Sequence, residues 1–213
     1  MGVVHLIRHG QASFGSDDYD VLSPIGETQS SALGQGWEAE GFVPTDAVAG
    51  SMKRHAQTAI AAIDACGGPD GYDVDAGWNE YDHVGIATAH DAGALGLDSK
   101  AFQRLLNQAI ADWRSGVGEY DEPYSVFVER VMGAFDAAVA TAGPGRSVAV
   151  FTSGGPIAMI VSHLLTGDDA LFQRLNDVII NASVTTVISG STGPRLLSFN
   201  EHTHLARDLV TYR

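Results

Sequence analysis

With 213 residues, 45% of them hydrophobic and 18% charged, the chain carries enough apolar material for one large domain and falls outside the disordered class. Its formal charge of −14 argues against nucleic acid as a partner, since such binding neutralises phosphates with Lys and Arg. The apolar run 156–165 is broken by Ser162 and His163 and is too short for a bilayer, no basic leader precedes the first apolar stretch, and a single Cys66 excludes an internal disulfide, so a cytoplasmic protein without a membrane partner is expected.

Residues 3–7 read as a buried strand that delivers Arg8-His9-Gly10 where a loop begins. An arginine beside a histidine sets a positive fork next to a nitrogen nucleophile, and a glycine behind them lets backbone approach an anion. After a loop to Leu22, Ser23-Pro24 opens a helix, with serine as cap and proline in the first turn, that runs to about Glu40 before Gly41 stops it. A second strand at 46–50, a helix at 51–66 closed by Gly67-Gly68-Pro69 and a third strand at 72–76 follow.

From Trp78 to about Gly145 the rhythm changes. Phe102, Leu105, Leu106, Ala109, Ile110 and Trp113 fall at helical spacing, as do Phe127, Val131, Met132, Phe135 and Val139, which predicts two amphipathic helices with no strand between them. Strand-helix alternation resumes with a strand at 147–152, a helix led in by Gly154-Gly155-Pro156 and lasting to Leu165, and a short helix from Asp168. Strands at 184–189 and 195–199 then close the sheet as a hairpin. The pattern predicts an α/β three-layer sandwich: a mixed, mostly parallel central sheet, helices on both faces, and one domain over 1–213 with a helical cap inserted at about 78–145.

Four chemically useful segments occupy equivalent places. Arg8-His9 follow the first strand, Arg54-His55 open the helix after the second, Glu80 follows the third, and Ser153-Gly154-Gly155 join the fourth to its helix. Ligands of open α/β sheets bind outside the carboxyl ends of strands, so these segments face one crevice. Each has an ordinary alternative: Arg54 as a solvated helix residue, Glu80 as a surface acid, Ser153 as a helix cap. Together they suit phosphoryl transfer through a phosphorylated histidine. A histidine must be neutral to attack, and nearby arginines disfavour its charged form while stabilising the transferring group. A carboxyl group that holds its proton can serve the leaving oxygen. No cofactor and no metal are called for, and His202-Thr203-His204 is not read as a metal site. A rival reading makes Ser153 a hydrolase nucleophile with His202 or His204 as base, but that elbow wants glycine where Phe151 stands.

Over almost its whole length the chain resembles the histidine phosphatase superfamily, also called the phosphoglycerate-mutase-like family. Arg8-His9-Gly10 is similar to its phosphohistidine motif, Leu22-Ser23-Pro24-Ile25-Gly26 with Gln29 to its first helix, and Ser51-Met52-Lys53-Arg54-His55-Ala56-Gln57-Thr58-Ala59 to its second-arginine segment. Asn79-Glu80 resembles its acid segment, and Asn200 with His204-Leu205 its C-terminal motif. The resemblance implies that His9 attacks phosphorus, Arg8 and Arg54 clamp the phosphoryl oxygens, Glu80 protonates the leaving oxygen, and Gly10, Ser153 and Gly154 line the substrate. It implies a phosphatase acting on a small phosphorylated substrate, with homo-oligomerisation left open.

The match fails at one important place. The family usually has a second histidine in a Ser-His-Gly or Thr-His-Gly segment, where this chain has Thr152-Ser153-Gly154; Gly15 stands where the mutase branch commonly has asparagine, and Ala12 where many members have threonine. A serine at a helix N-terminus donates one hydrogen bond but brings no positive charge. Two other readings therefore stay open, a phosphate-ligand-binding pseudoenzyme and, behind it, a mutase. His83 and His202 are the histidines considered as substitutes, against their ordinary reading as surface or packing residues.

Overall fold

The computed structural model describes residues 1–13 and 19–212, with nothing said of the Ser99 side chain; Gly15 lies outside the described residues. Its strands are β1 (Gly2–Arg8), β2 (Asp46–Ala49), β3 (Asp73–Val74), β4 (Ser147–Thr152), β5 (Val184–Gly190) and β6 (Gly193–Glu201). They form one sheet in the order β3-β2-β4-β1-β5-β6. The first four in that order run parallel, and β5 and β6 are antiparallel to their neighbours, so the sheet is mixed and mostly parallel as the sequence predicts. Because β1 aligns Val3 with Ser147 and Arg8 with Thr152, Arg8-His9 and Ser153 emerge side by side at the carboxyl edge.

The helices are α1 (Pro24–Ala39), α2 (Lys53–Cys66), α3 (His83–His90), α4 (Ser99–Ser115), α5 (Tyr124–Thr141), α6 (Gly154–Thr166) and α7 (Phe172–Asn176). Alternation along the strands sends Ile7, Ala47, Ala49, Ala149, Phe151 and Val184 to one face. There they pack beneath Leu33 and Trp37 of α1 and Ala59, Ala62, Ile63 and Cys66 of α2. Small alanines on β2 let these helices lie close to the sheet. Val4, Leu6, Val148 and Val150, of opposite parity, are buried as completely, and α6, with residues 154–162 all buried, covers that side.

The chain forms two compact units, residues 1–80 with 131–213, and residues 81–130. The first holds the whole sheet. In the second, Trp113 stacks near Tyr81 and Phe127, at 5.3 and 5.4 Å between ring centroids, and its indole N–H donates to the Glu122 carbonyl at 2.8 Å. The apolar stripes expected on α4 and α5 include this packing. The sequence reading misses α3, whose Val84, Ile86, Ala87 and Ala89 give no one-sided stripe and whose start is set by Asp82 capping Gly85.

Several element ends differ from expectation for local reasons. Ser23 caps α1 and Gly41 leaves it with φ of +66°, as read. Helix α2 starts at Lys53 rather than Ser51 because Ser51 is paired with Asn79, its N–H donating to Asn79 Oδ1 and its Oγ accepting from Asn79 Nδ2, each at 2.8 Å. Strand β3 stops at Val74 because Asp75 turns back to cap a 3₁₀ turn, Ala76–Trp78. Asp168 lies in a turn, accepting from Thr166 and Ala170, so α7 begins at Phe172. Among the described residues no helix is long and apolar enough to cross a membrane.

Candidate active site

Strand β1 ends by passing its hydrogen bonds to the next elements: His9 N–H donates to the Thr152 carbonyl at 2.8 Å, and Gly10 N–H to Thr58 Oγ1 at 3.1 Å. A Cβ at Gly10 would stand 2.4 Å from the Gly26 carbonyl oxygen and 2.8 Å from Ser30 Oγ, so glycine here permits the loop to lie against α1. The turn thereby points the His9 ring into a buried position, 6% exposed.

The ring's tautomer follows from its neighbours. His9 Nδ1 lies 2.7 Å from the Gly10 carbonyl, which can only accept, so Nδ1 carries the proton and the lone pair is on Nε2. Arg54 Nε donates to that Nε2 at 3.2 Å. Burial, then the charges of Arg54 and Arg8, then His55, push the His9 pKa well below the ordinary histidine value, outweighing the Gly10 carbonyl. The imidazole is therefore neutral at neutral pH.

The two arginines are held differently. Arg54, 4% exposed on the first turn of α2, is oriented by a 2.7 Å ion pair from Nη1 to Asp20. Asp20 also accepts from Lys53 N–H at 2.9 Å, supplying α2 with the cap that Met52 cannot provide. Arg8 Nη1 donates to the carbonyls of Ile179 and Tyr212. That rim is fixed in turn from below. Asn181 Nδ2 donates to the His9 carbonyl, Asn200 Oδ1 accepts from Ile180 N–H, and His204 Nε2 donates to the Ala182 carbonyl. The late Asn200 and His204 thus shape the segment that supports Arg8 and His9.

Glu80 comes to the same edge after the 3₁₀ turn, and its Oε2 accepts from Gly155 N–H, at the start of α6, at 3.2 Å. Gly154 approaches Asn176 so closely that a Cβ would stand 2.8 Å from Asn176 Oδ1 and 3.9 Å from Arg8 Nε. Ser153 is the N-cap residue of α6 but makes no side-chain cap. Its Oγ is instead 2.7 Å from His55 Nε2. His55 and Ser153 are fully buried, and the His55 ring centroid is 5.6 Å from that of His9. Burial, reinforced by Arg54, pushes the His55 pKa well below its ordinary value.

The carboxyl edge of the sheet therefore brings Arg8, His9, Gly10, Arg54, Glu80, Ser153 and Gly154 together. Sequence reasoning quoted His55 without giving it a role and passed over Asp20. Of the rings considered as bases or substitutes, His202 donates from Nδ1 to the Asn200 carbonyl and His204 is engaged by Ala182, while His83 belongs to the second unit. A neutral imidazole flanked by two guanidinium groups, a carboxylate and a helix N-terminus is equipped to receive a phosphoryl group.

This sheet and site define a class, and the chain belongs to it. It is a member of the histidine phosphatase superfamily, branch 1, whose family model matches residues 4–202. No curated protein matches the sequence. Among solved structures, a phosphoserine phosphatase variant from Entamoeba histolytica, in complex with phosphoserine, is similar at 16% identity and TM-score 0.66, covering 97% of this chain and 100% of that one. A phosphoglycerate mutase from Bacillus anthracis matches at 16% identity and TM-score 0.67, over 95% and 94%. A mycobacterial glucosyl-3-phosphoglycerate phosphatase matches at 20% identity and TM-score 0.63, over 95% and 100%.

Proposed function

We propose that the chain is a phosphatase that hydrolyses a small phosphomonoester through a phosphohistidine on His9. The observation that carries this reading is the His9 tautomer: the Gly10 carbonyl keeps the proton on Nδ1 and leaves the Nε2 lone pair beside Arg54 Nε. When phosphorus reaches Nε2, a phosphoryl oxygen takes over the Arg54 N–H. The N–P bond forms as the ester P–O bond breaks, and Glu80 gives a proton to the departing oxygen. Water then attacks the phosphohistidine, Glu80 takes its proton back, the N–P bond breaks, and inorganic phosphate leaves. The presence of phosphatases of phosphoserine and glucosyl-3-phosphoglycerate among structures of this fold supports a phosphomonoester substrate. The overall charge of −14 supports a small substrate drawn to a few arginines rather than a polyanion.

The serine at 153, where the resemblance puts a histidine, favours the second reading, a phosphate-ligand-binding pseudoenzyme; a mutase ranks third. Turnover of p-nitrophenyl phosphate with rapid quench and mass spectrometry separates the first two. Hydrolysis with an adduct on His9 that is lost in acid, survives in base and disappears in His9→Ala is the expected result. An adduct that persists in His9→Ala overturns the assignment, and phosphate binding without turnover identifies the pseudoenzyme.

A further inference from the structure

We propose that His55 is a positioning residue that acts through Ser153, the two forming a relay that delivers the Ser153 O–H as a hydrogen bond to the phosphoryl group being transferred to His9. The inference rests on the phosphohistidine reading and adds to it a donor built from two elements, α2 and the β4–α6 junction.

Four observations carry it. First, Ser153 occupies a capping position yet gives its side chain to His55 at 2.7 Å. A serine whose only use was to start a helix would bond the helix's own N–H groups. Second, the pair is fully buried beside the His9 ring, where a hydrogen bond is strong and an unmade one is costly. Third, room for the His55 ring depends on Gly50. A Cβ there would stand 2.2 Å from His55 Nδ1 and 2.9 Å from Cε1. Fourth, His55 Nδ1 is buried with no hydrogen-bond partner.

The last point decides the direction of the relay. A proton on Nδ1 would be a buried donor with nothing to receive it. With the proton on Nε2, the ring donates to Ser153 Oγ, and Nδ1 keeps only a lone pair. A hydroxyl that accepts from His55 turns its own hydrogen away from that ring. The strand ends place His9, Arg8 and the α6 N-terminus around it, which is where phosphoryl oxygens gather in the proposed reaction. The imidazole absent from position 153 is thus replaced by one on α2, with serine as its extension.

On this arrangement Ser153→His alone is not expected to raise activity. The larger ring would enter space that His55 already fills, so kcat is expected to fall rather than rise.

The test uses the whole chain, p-nitrophenyl phosphate and the quenched adduct assay, with thermal melts to confirm folding. His55→Leu and Ser153→Ala are each expected to lower kcat by on the order of 10- to 100-fold with little change in KM. The double variant should be no worse than either single one, because both remove the same relay. His55→Gln, whose side-chain amide offers an N–H near the place of Nε2, should recover most of the loss. Ser153→His combined with His55→Ala should exceed Ser153→His alone. A purely structural role predicts loss of melting temperature without this pattern. Folded His55→Leu with unchanged kcat, or losses that multiply in the double variant, overturns the relay while leaving the phosphohistidine reading intact. Should His55→Leu fail to fold, failure of both His55→Gln and the exchanged pair to show these recoveries overturns it as well. An acid-stable, base-labile adduct on Ser153, or an inactive parent with no His9 adduct, overturns the underlying reading and the relay with it.

Discussion

At the scale of single residues, the site contains two arginines with different second duties. Arg54 meets His9 with Nε and Asp20 with Nη1, whereas Arg8 also holds the carbonyls at Ile179 and Tyr212. Arg54→Ala is expected to raise the KM for a phosphomonoester and lower kcat, because an arginine clamp holds the bound phosphate and holds the charge of the transferring phosphoryl group more strongly still. Glu80→Gln should act on kcat alone. Its loss should be small for p-nitrophenyl phosphate, whose leaving group needs little protonation, and about 100-fold or more for an alkyl phosphate. Steady-state kinetics on the two substrates check this, and equal losses on both would remove Glu80 from the acid role. His9, Arg8, Arg54, Glu80 and Ser153 were legible in the sequence as residues at strand ends. His55 was named beside Arg54 but drew no role, because adjacent positions on a helix point about 100° apart, and a reading that gives Arg54 to the phosphate leaves His55 to the core. Only the path of β4 past α2 returns it to the site.

At the scale of elements, the strands and most of the helices followed from periodicity and β4 has the ends read for it, but several other element ends were set elsewhere. Ser51 resembles a helix cap in sequence, yet Asn79, remote in the chain, takes both its N–H and its hydroxyl, and Asp20 supplies the cap instead. Long-range hydrogen bonds of this kind leave no local signature. The same region yields a sharp expectation for Gly50. Gly50→Ala would put a methyl carbon 2.2 Å from His55 Nδ1 and 2.8 Å from Asn79 Oδ1, inside any permitted contact. The strand end or the ring must shift, costing about 1–3 kcal/mol in stability and lowering kcat in parallel with the His55 variants. Denaturant melts and kinetics measure both, and an alanine variant with parental stability and kcat would show that the strand end yields freely.

At the scale of the molecule, the buried histidines tie stability to pH. Burial lowers the His5 pKa to about 4; burial and Arg54 lower His9 and His55, and burial lowers His204. All four are held neutral by the fold, while the unfolded chain takes up protons near pH 6.5. Their contribution is therefore fully present above that value and is lost as pH falls towards the depressed folded values. Each histidine still neutral in the fold steepens the loss by up to about 1.4 kcal/mol per pH unit. Acidification also relieves the repulsion among the −14 net charges, an opposing effect that salt screens. Urea midpoints in about 0.2 M salt should drop clearly between about pH 7.5 and about pH 5. A flat midpoint over that interval would show that the rings accept protons without unfolding.

The sheet order also has a consequence for synthesis. Strand β1 is central, yet both its partners, β4 and β5, come far later in the chain. Roughly 140 residues separate β1 from β4, so at typical elongation rates the first strand waits about 7–28 s on the ribosome before it can be paired. Until then its apolar Val4, Leu6 and Ile7 remain open to wrong neighbours. Arg8 and His9 leave the ribosome before the rest of the candidate site, but their setting in the sheet is made late. Nascent chains of this protein should therefore lean on holding chaperones, and the candidate site stays incomplete until residues as late as Tyr212 have emerged.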